Sequence, residues 1–198
     1  MKTADTCKHH VELKIVPEDD PMDPRDSFDN LGKMVCWHKR YRLGDAHEFH
    51  SPEAFQEEIN DKNAIILPLY LLDHSGLSIS TRSFGDPWDS GQVGWIYATL
   101  EDIRKEFKVK RISKKLRKKV EESLENEVRI YDDYLRGDVW GFVLEKVFDC
   151  ECHEGYREHI DSCFGFYGDM SDSSMREYIP KEYRHLLDDA WYSRGYST

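Results

Sequence analysis

The sequence predicts an α+β fold: a mostly antiparallel β-sheet built of hairpins, with short helices and one long amphipathic helix. Three observations carry this. The run AIILPLYLLD at 64–73 is too uniformly apolar for a half-exposed strand. It is followed, after the turn residues Asp73, His74, Ser75 and Gly76, by LSIST, which alternates as the returning arm of a hairpin does. And from Leu116 to Leu135 apolar residues recur at spacings of three and four, the signature of one helical face.

The elements follow in order. Val11–Val16 reads as a short strand, and PEDDPMDPRDSFDN after it as a flexible acidic loop near 17–30. Its aspartates recur at 20, 23, 26 and 29, but without the glycine and terminal glutamate of a calcium loop. In HSPEAFQEEIN, Ser51 caps, Pro52 suits the first helical position and Glu53 favours the positive end of the dipole, which predicts a helix over 52–60. Pro68 inside the apolar strand marks a bulge or a missing ladder bond. VGWIYA is a further strand, and Thr99 with Asp102 forms a capping box that opens LEDIRKEF. The long helix has Ser113 as its N-cap, Leu116, Val120, Leu124, Val128, Tyr131 and Leu135 on its apolar face, and Gly137 at its end. VWGFVLEKVFD and REHIDSCFGFYGD are expected as paired strands, and Ile179–Trp191 as a closing helix.

With 198 residues the chain is expected to form a single globular domain, 1–198. An aromatic content of 13% opposes disorder, and mean hydropathy of −0.74 with 34% charged residues implies a well-solvated surface. No stretch approaches the roughly 18 apolar residues of a membrane span, and the N-terminus lacks the apolar core of a signal peptide. The expected location is cytoplasmic, with no membrane partner, and the five cysteines are expected as reduced thiols.

The net charge of −11 is unevenly laid out. Lys105–Lys119 holds nine basic residues against one acid, a local +8 that leaves −19 on the rest of the chain. In the long helix Lys114, Lys115, Arg117, Lys118 and Lys119 come first and Glu121, Glu122, Glu125, Asp132 and Asp133 later, against the helix dipole. Local helix stability did not select this order. The basic end either neutralises an acidic neighbour within the protein or meets an acidic partner or a phosphate backbone.

Phosphate-binding, nucleophile-elbow, zinc-protease and dinucleotide motifs are absent from the sequence. The best polar set for acid and base chemistry is Asp73, His74 and Asp86, near Trp88 and Asp89, although turns select these residue types for backbone reasons alone. A zinc site is the cofactor to weigh, because DCECHEGYREHIDSC brings together Cys150, Cys152, His153, His159 and Cys163, with C-x2-H and H-x3-C spacings. Matching the apolar sets of the two strands pairs residue 150 with 160 and 144 with 166, turning Cys150 and Cys152 inward and His159 and Cys163 outward. That register disfavours zinc and gathers Glu145, Asp149, Glu151 and Asp161 around His159 as an acidic face.

Several segments together, LPLYLLDHSGLSIS, GQVGWIY, KRISKKLRKKV, EVRIYDDYLRGDVWGFVLE and IDSCFGFYGD, resemble a family of proteins encoded by bacteriophages and other mobile elements. The resemblance covers roughly residues 20–170 and brings no catalytic residue, ligand or fold. It implies a setting, the cytoplasm of an infected bacterium. The expected function is accordingly a non-enzymatic accessory binding protein that inhibits a host defence system, anti-CRISPR or antirestriction. Its acidic faces would occupy basic, nucleic-acid-binding surfaces of a partner protein as DNA does. Two alternatives stand beside it. One is a small hydrolase or nucleotide-modifying enzyme around Asp73, His74 and Asp86, and the other is nucleic-acid binding through the basic strip 105–119.

Overall fold

The computed structural model describes residues 8–149, 155–169 and 174–192, the last two of these in backbone only. Among them lie seven strands with helices between, the α+β class that the patterning predicts, but the antiparallel strands form two sheets rather than one and include Lys33–Cys36, which the pattern did not mark. Contacts divide the chain into two compact units, one from Met22–Gly137 and one from the chain before and after it.

In the central unit, strands β2 (Lys33–Cys36), β3 (Ala64–Asp73), β4 (Leu77–Ser80) and β5 (Ser90–Thr99) form a sheet in the order β2-β5-β3-β4. Ile65, Leu69 and Leu71 on one face of β3 join a core closed by Val120, Leu124, Val128 and Tyr131 of α4 (Lys114–Arg136). On the other face Ala64 and Tyr97 meet Phe55 of α2 (Pro52–Glu58). Burial on both faces is why AIILPLYLLD shows no alternation. The bulge expected near Pro68 falls one residue on, where the β3–β5 register shifts between Leu69 and Tyr70. Each predicted cap is present. Ser51 accepts from the Ala54 amide, Thr99 from Asp102 at the start of α3 (Leu100–Glu106), and Ser113 from Leu116. Helix α4 ends at Gly137 in the left-handed conformation.

The acidic loop holds a short helix, α1 (Pro24–Ser27), capped by Asp23, and within it Arg25 is only 8% exposed. Its guanidinium donates twice to Asp45 (2.9 and 2.8 Å), to Glu127 of α4 (3.0 Å) and to the Gly32 carbonyl (2.7 Å). Glu127 also accepts from the Leu31 amide (2.9 Å), and Asp132 accepts from Ser78 Oγ and the Ile79 amide of β4, both at 2.7 Å. Two acids of the later turns, Glu127 and Asp132, are thus held by tertiary hydrogen bonds worth more than the dipole term.

In the other unit, β1 (His9–Pro17), β6 (Val139–Phe148) and β7 (Arg157–Tyr167) form a sheet in the order β1-β6-β7. Leu13, Ile15, Phe142, Leu144 and Phe166 of this sheet pack on Met175 and Ile179. The closing helix of the sequence reading is broken. Pro180 separates α5 (Met175–Tyr178) from a single 3₁₀ turn, Lys181–Tyr183, and α6 begins only at Leu186 (Leu186–Tyr192).

The expected register of β6 and β7 is overturned. Trp140 pairs with Phe166, Phe142 with Cys163, Leu144 with Asp161 and Glu145 with His159, with shifts between Trp140 and Phe142 and between Leu144 and Glu145. Two extra residues on β7 are accommodated as bulges, the first using Gly165 at φ +87°, which an L side chain rarely adopts. Each bulge turns the following residues over. Ile160 and Phe164, expected in the core, are exposed, and the Phe164 ring lies over Gly141.

Candidate polyanion-binding surface

Helix α3 closes with backbone bonds from Lys108 to the Lys105 carbonyl and from Val109 to the Arg104 carbonyl, with Lys108 at φ +51°. The chain then bends at Lys110 and Arg111 and reaches Ser113, the N-cap of α4. Between this segment and the first turns of α4 lies a depression of about 710 Å³, with Phe107, Val109 and Leu116 as its apolar part and Arg111, Lys115, Lys118 and Lys119 among its cations. Lys119 Nζ sits 5.2 Å from the centre of the Phe107 ring, a cation–π contact.

Within the described residues the strip is barely neutralised. Among the described residues only Lys118 of the nine cations has a carboxylate within ion-pair distance, Glu122 at 3.6 Å, and both side chains are well exposed. An exposed pair of this kind contributes little. Of the other eight, Lys114, Lys115, Arg117 and Lys119 occupy the first turns of α4, at its positive end, where like charges repel one another. Helix geometry, at about 100° per residue, places Lys114, Lys115, Lys118 and Lys119 within an arc of about 140°. Four cations therefore share one side of the helix, with Glu122 among them, and Lys115, Lys118 and Lys119 line the depression.

The expected acidic face on the other sheet does not assemble. Glu145 lies opposite Glu12 of β1, and both are bridged by cations. Lys14 donates to Glu145 at 3.1 Å and approaches Glu12 at 3.7 Å, while Arg157 donates to Glu12 and, at 3.0 Å, to Glu145. Hydrogen bonds from Arg157 hold the Glu12 carboxyl below its usual range, and those from Lys14 and then Arg157 do the same for Glu145. Asp149 pairs with His10 at 3.0 Å, and Asp161 sits opposite Leu144, turned off this face by the bulge. Glu151 lies outside the described residues.

The zinc candidates separate in the same way. His159 is on the exposed face, bonded to Ser162 Oγ at 3.1 Å, whereas Cys163 is opposite Phe142 and packs against the core. The second half of the metal pattern is split by a bulge, so the expectation that both residues face outward is corrected for Cys163. Cys150, Cys152 and His153 lie outside the described residues. Among the described residues no three His, Cys, Asp or Glu side chains converge as a metal site would require.

The catalytic candidates Asp73, His74 and Asp86 are near in sequence but engaged separately. Asp73 accepts from Arg40 (3.2 Å) and Tyr41 Oη (3.3 Å). His74 Nδ1 bonds Asp89 at 2.6 Å, which raises the imidazole pKa, and Asp86 accepts from the Trp88 and Asp89 amides in its own turn. Among the described residues no hydrogen bond or ion pair joins these three side chains to one another, although His74 and Asp86 feel each other's charge. Two polar features went unread in the sequence: the Arg25 hub, whose partners are distant in the chain, and the basic, aromatic run WHKRYR at 37–42, which was visible as a pattern. Among the described residues no helix is long and apolar enough to cross a membrane.

No protein-family model, curated protein or solved structure matches this chain.

Proposed function

We propose that this protein is a non-enzymatic binding protein that seats a nucleic-acid phosphate backbone along Lys105–Lys119. The observation that carries the reading is the strip itself: among the described residues eight of its nine cations have no ion pair, and three of those, Arg111, Lys115 and Lys119, line the depression with its apolar floor. Stranding like charges at the positive end of a helix costs folding energy, and a polyanion supplies the missing counter-charge while releasing its own counterions. The balance of −19 elsewhere repels nucleic acid from other orientations, so the strip also sets how the ligand docks. The resemblance to phage-encoded proteins supports a setting in the infected bacterial cytoplasm, where competition with host nucleases for nucleic acid would serve a defence inhibitor. The DNA-mimic form of that idea loses its sheet patch to Lys14 and Arg157, and so ranks second.

Fluorescence anisotropy with a labelled duplex tests it. With four phosphates neutralised, log K should fall with log salt at a slope of about −3.6, about 150-fold between roughly 50 and 200 mM. Reversing Lys114, Lys115, Lys118 and Lys119 to Glu should abolish binding. Binding that ignores both salt and this reversal refutes the proposal.

A further inference from the structure

We infer that the loop Cys36–His47 forms a second site, one that holds the phosphate of a nucleotide. The loop encloses a depression of about 800 Å³ lined by Trp37, His38, Lys39, Arg42 and His47 among others. It leans on the nucleic-acid reading only in choosing a nucleotide over other phosphate esters; its residues are not those of the basic strip.

The loop is braced before any ligand arrives. His38 Nδ1 accepts from the Arg40 and Tyr41 amides at 3.4 and 3.2 Å, which places its proton on Nε2 as a free donor. The His38 ring stacks on Tyr41 at 5.1 Å and 4°, and Arg40 and Tyr41 both anchor on Asp73. Lys39 and Arg42 are exposed, and neither has a hydrogen bond or ion pair among the described residues. Two unpaired cations and an imidazole N–H on a fixed loop are a recognition set for phosphate.

A second observation points to more than an inorganic anion. His47 donates from Nε2 to the Cys36 carbonyl at 3.1 Å, so its Nδ1 carries a lone pair. That nitrogen is buried with no hydrogen-bond partner. An unsatisfied buried acceptor costs about 1–3 kcal/mol. His47 is among the residues that line the depression, and an occupant with a hydroxyl or amine, as a nucleotide has, supplies the donor this nitrogen lacks. The neighbouring Cys36 thiol takes no part as a nucleophile, since burial pushes its pKa up to about 12.

Isothermal titration of the full chain with AMP, adenosine and inorganic phosphate tests the inference. AMP should bind saturably and more tightly than phosphate or adenosine, and Lys39→Ala with Arg42→Ala should weaken it at least about tenfold. The strip-reversed variant should bind AMP as the wild type does, which separates this site from the duplex-binding surface. A short single strand that displaces AMP assigns the site to a strand, and AMP binding without displacement assigns it to a free nucleotide. No saturable AMP binding up to about 10 mM, AMP no tighter than phosphate, or affinity unchanged in the double variant overturns it.

Discussion

Replacing Arg25 by Met removes the one cation from a buried cluster of two carboxylates. The side chains of Arg25, Glu127 and Asp45 are 2%, 11% and 21% exposed, so little water is at hand to solvate the acids left behind. Burial works against the guanidinium charge, but Asp45 and Glu127 outweigh it and leave the Arg25 pKa raised. Breaking such a pair costs about 3–5 kcal/mol, chiefly through the stranded charge. With a urea slope of about 2 kcal/mol per M the midpoint should fall by about 2 M. Urea is the right denaturant because guanidinium would itself screen the pair. A companion variant, Arg25→Met with Asp45→Asn and Glu127→Gln, keeps acceptors for the Met34 and Leu31 amides but strands no charge. It should recover most of the loss, ending within about 1–2 kcal/mol of wild type. A midpoint for Arg25→Met within about 0.3 M of wild type, or a triple variant no better than the single one, would show that the hub does not hold the unit as described.

Three further outcomes are expected. Because Glu12 and Glu145 have folded pKa values below the ordinary 4.5, their contribution is complete above that value and lost as pH falls through the lowered ones. Urea midpoints across acid pH should therefore drop more steeply in wild type than in Arg157→Ala, and parallel curves would contradict the bridging role. The His74 pKa, raised above 6.5 by Asp89, gives the opposite sign: its contribution is present below 6.5 and lost as pH rises through the raised value. NMR titration should show that shift and its loss in Asp89→Asn; a wild-type pKa at or below 6.5 would dismiss the pair. Finally, a Cβ at Gly94 would lie 1.9 Å from the Val35 carbonyl, so Gly94→Ala must part β2 from β5 and should destabilise by about 1–3 kcal/mol or more, read as the loss of amide protection in Lys33–Cys36.

How much of the site was legible follows from the range of the forces involved. The strip Lys105–Lys119 could be read directly, because charge density needs no fold to be seen. Whether it was neutralised could not, because the partners of the acids on its own helix are set by the fold: Glu122 reaches Lys118, while Glu127 and Asp132 serve Arg25 and β4. The partners of the catalytic candidates depended on the fold in the same way. Asp73, His74 and Asp86 are neighbours in sequence, yet Asp73 is drawn to Arg40 and Tyr41 while His74 takes Asp89.

The sequence by itself determined the strongly patterned strands and the capped helices, but not β2, α1 or the break at Pro180. Caps at Ser51, Thr99 and Ser113, the helical period from Leu116 and the turn after Asp73 are settled by groups a few residues apart, so local chemistry suffices. Tertiary structure alone decided the faces. On β7 two bulges turned Ile160 and Phe164 outward and Cys163 inward, and a third strand brought Lys14 between Glu12 and Glu145. Alternation along a strand has a period of two residues, so a single inserted residue reverses every assignment beyond it. Nothing in the pattern of one strand records how many residues its partner will bulge.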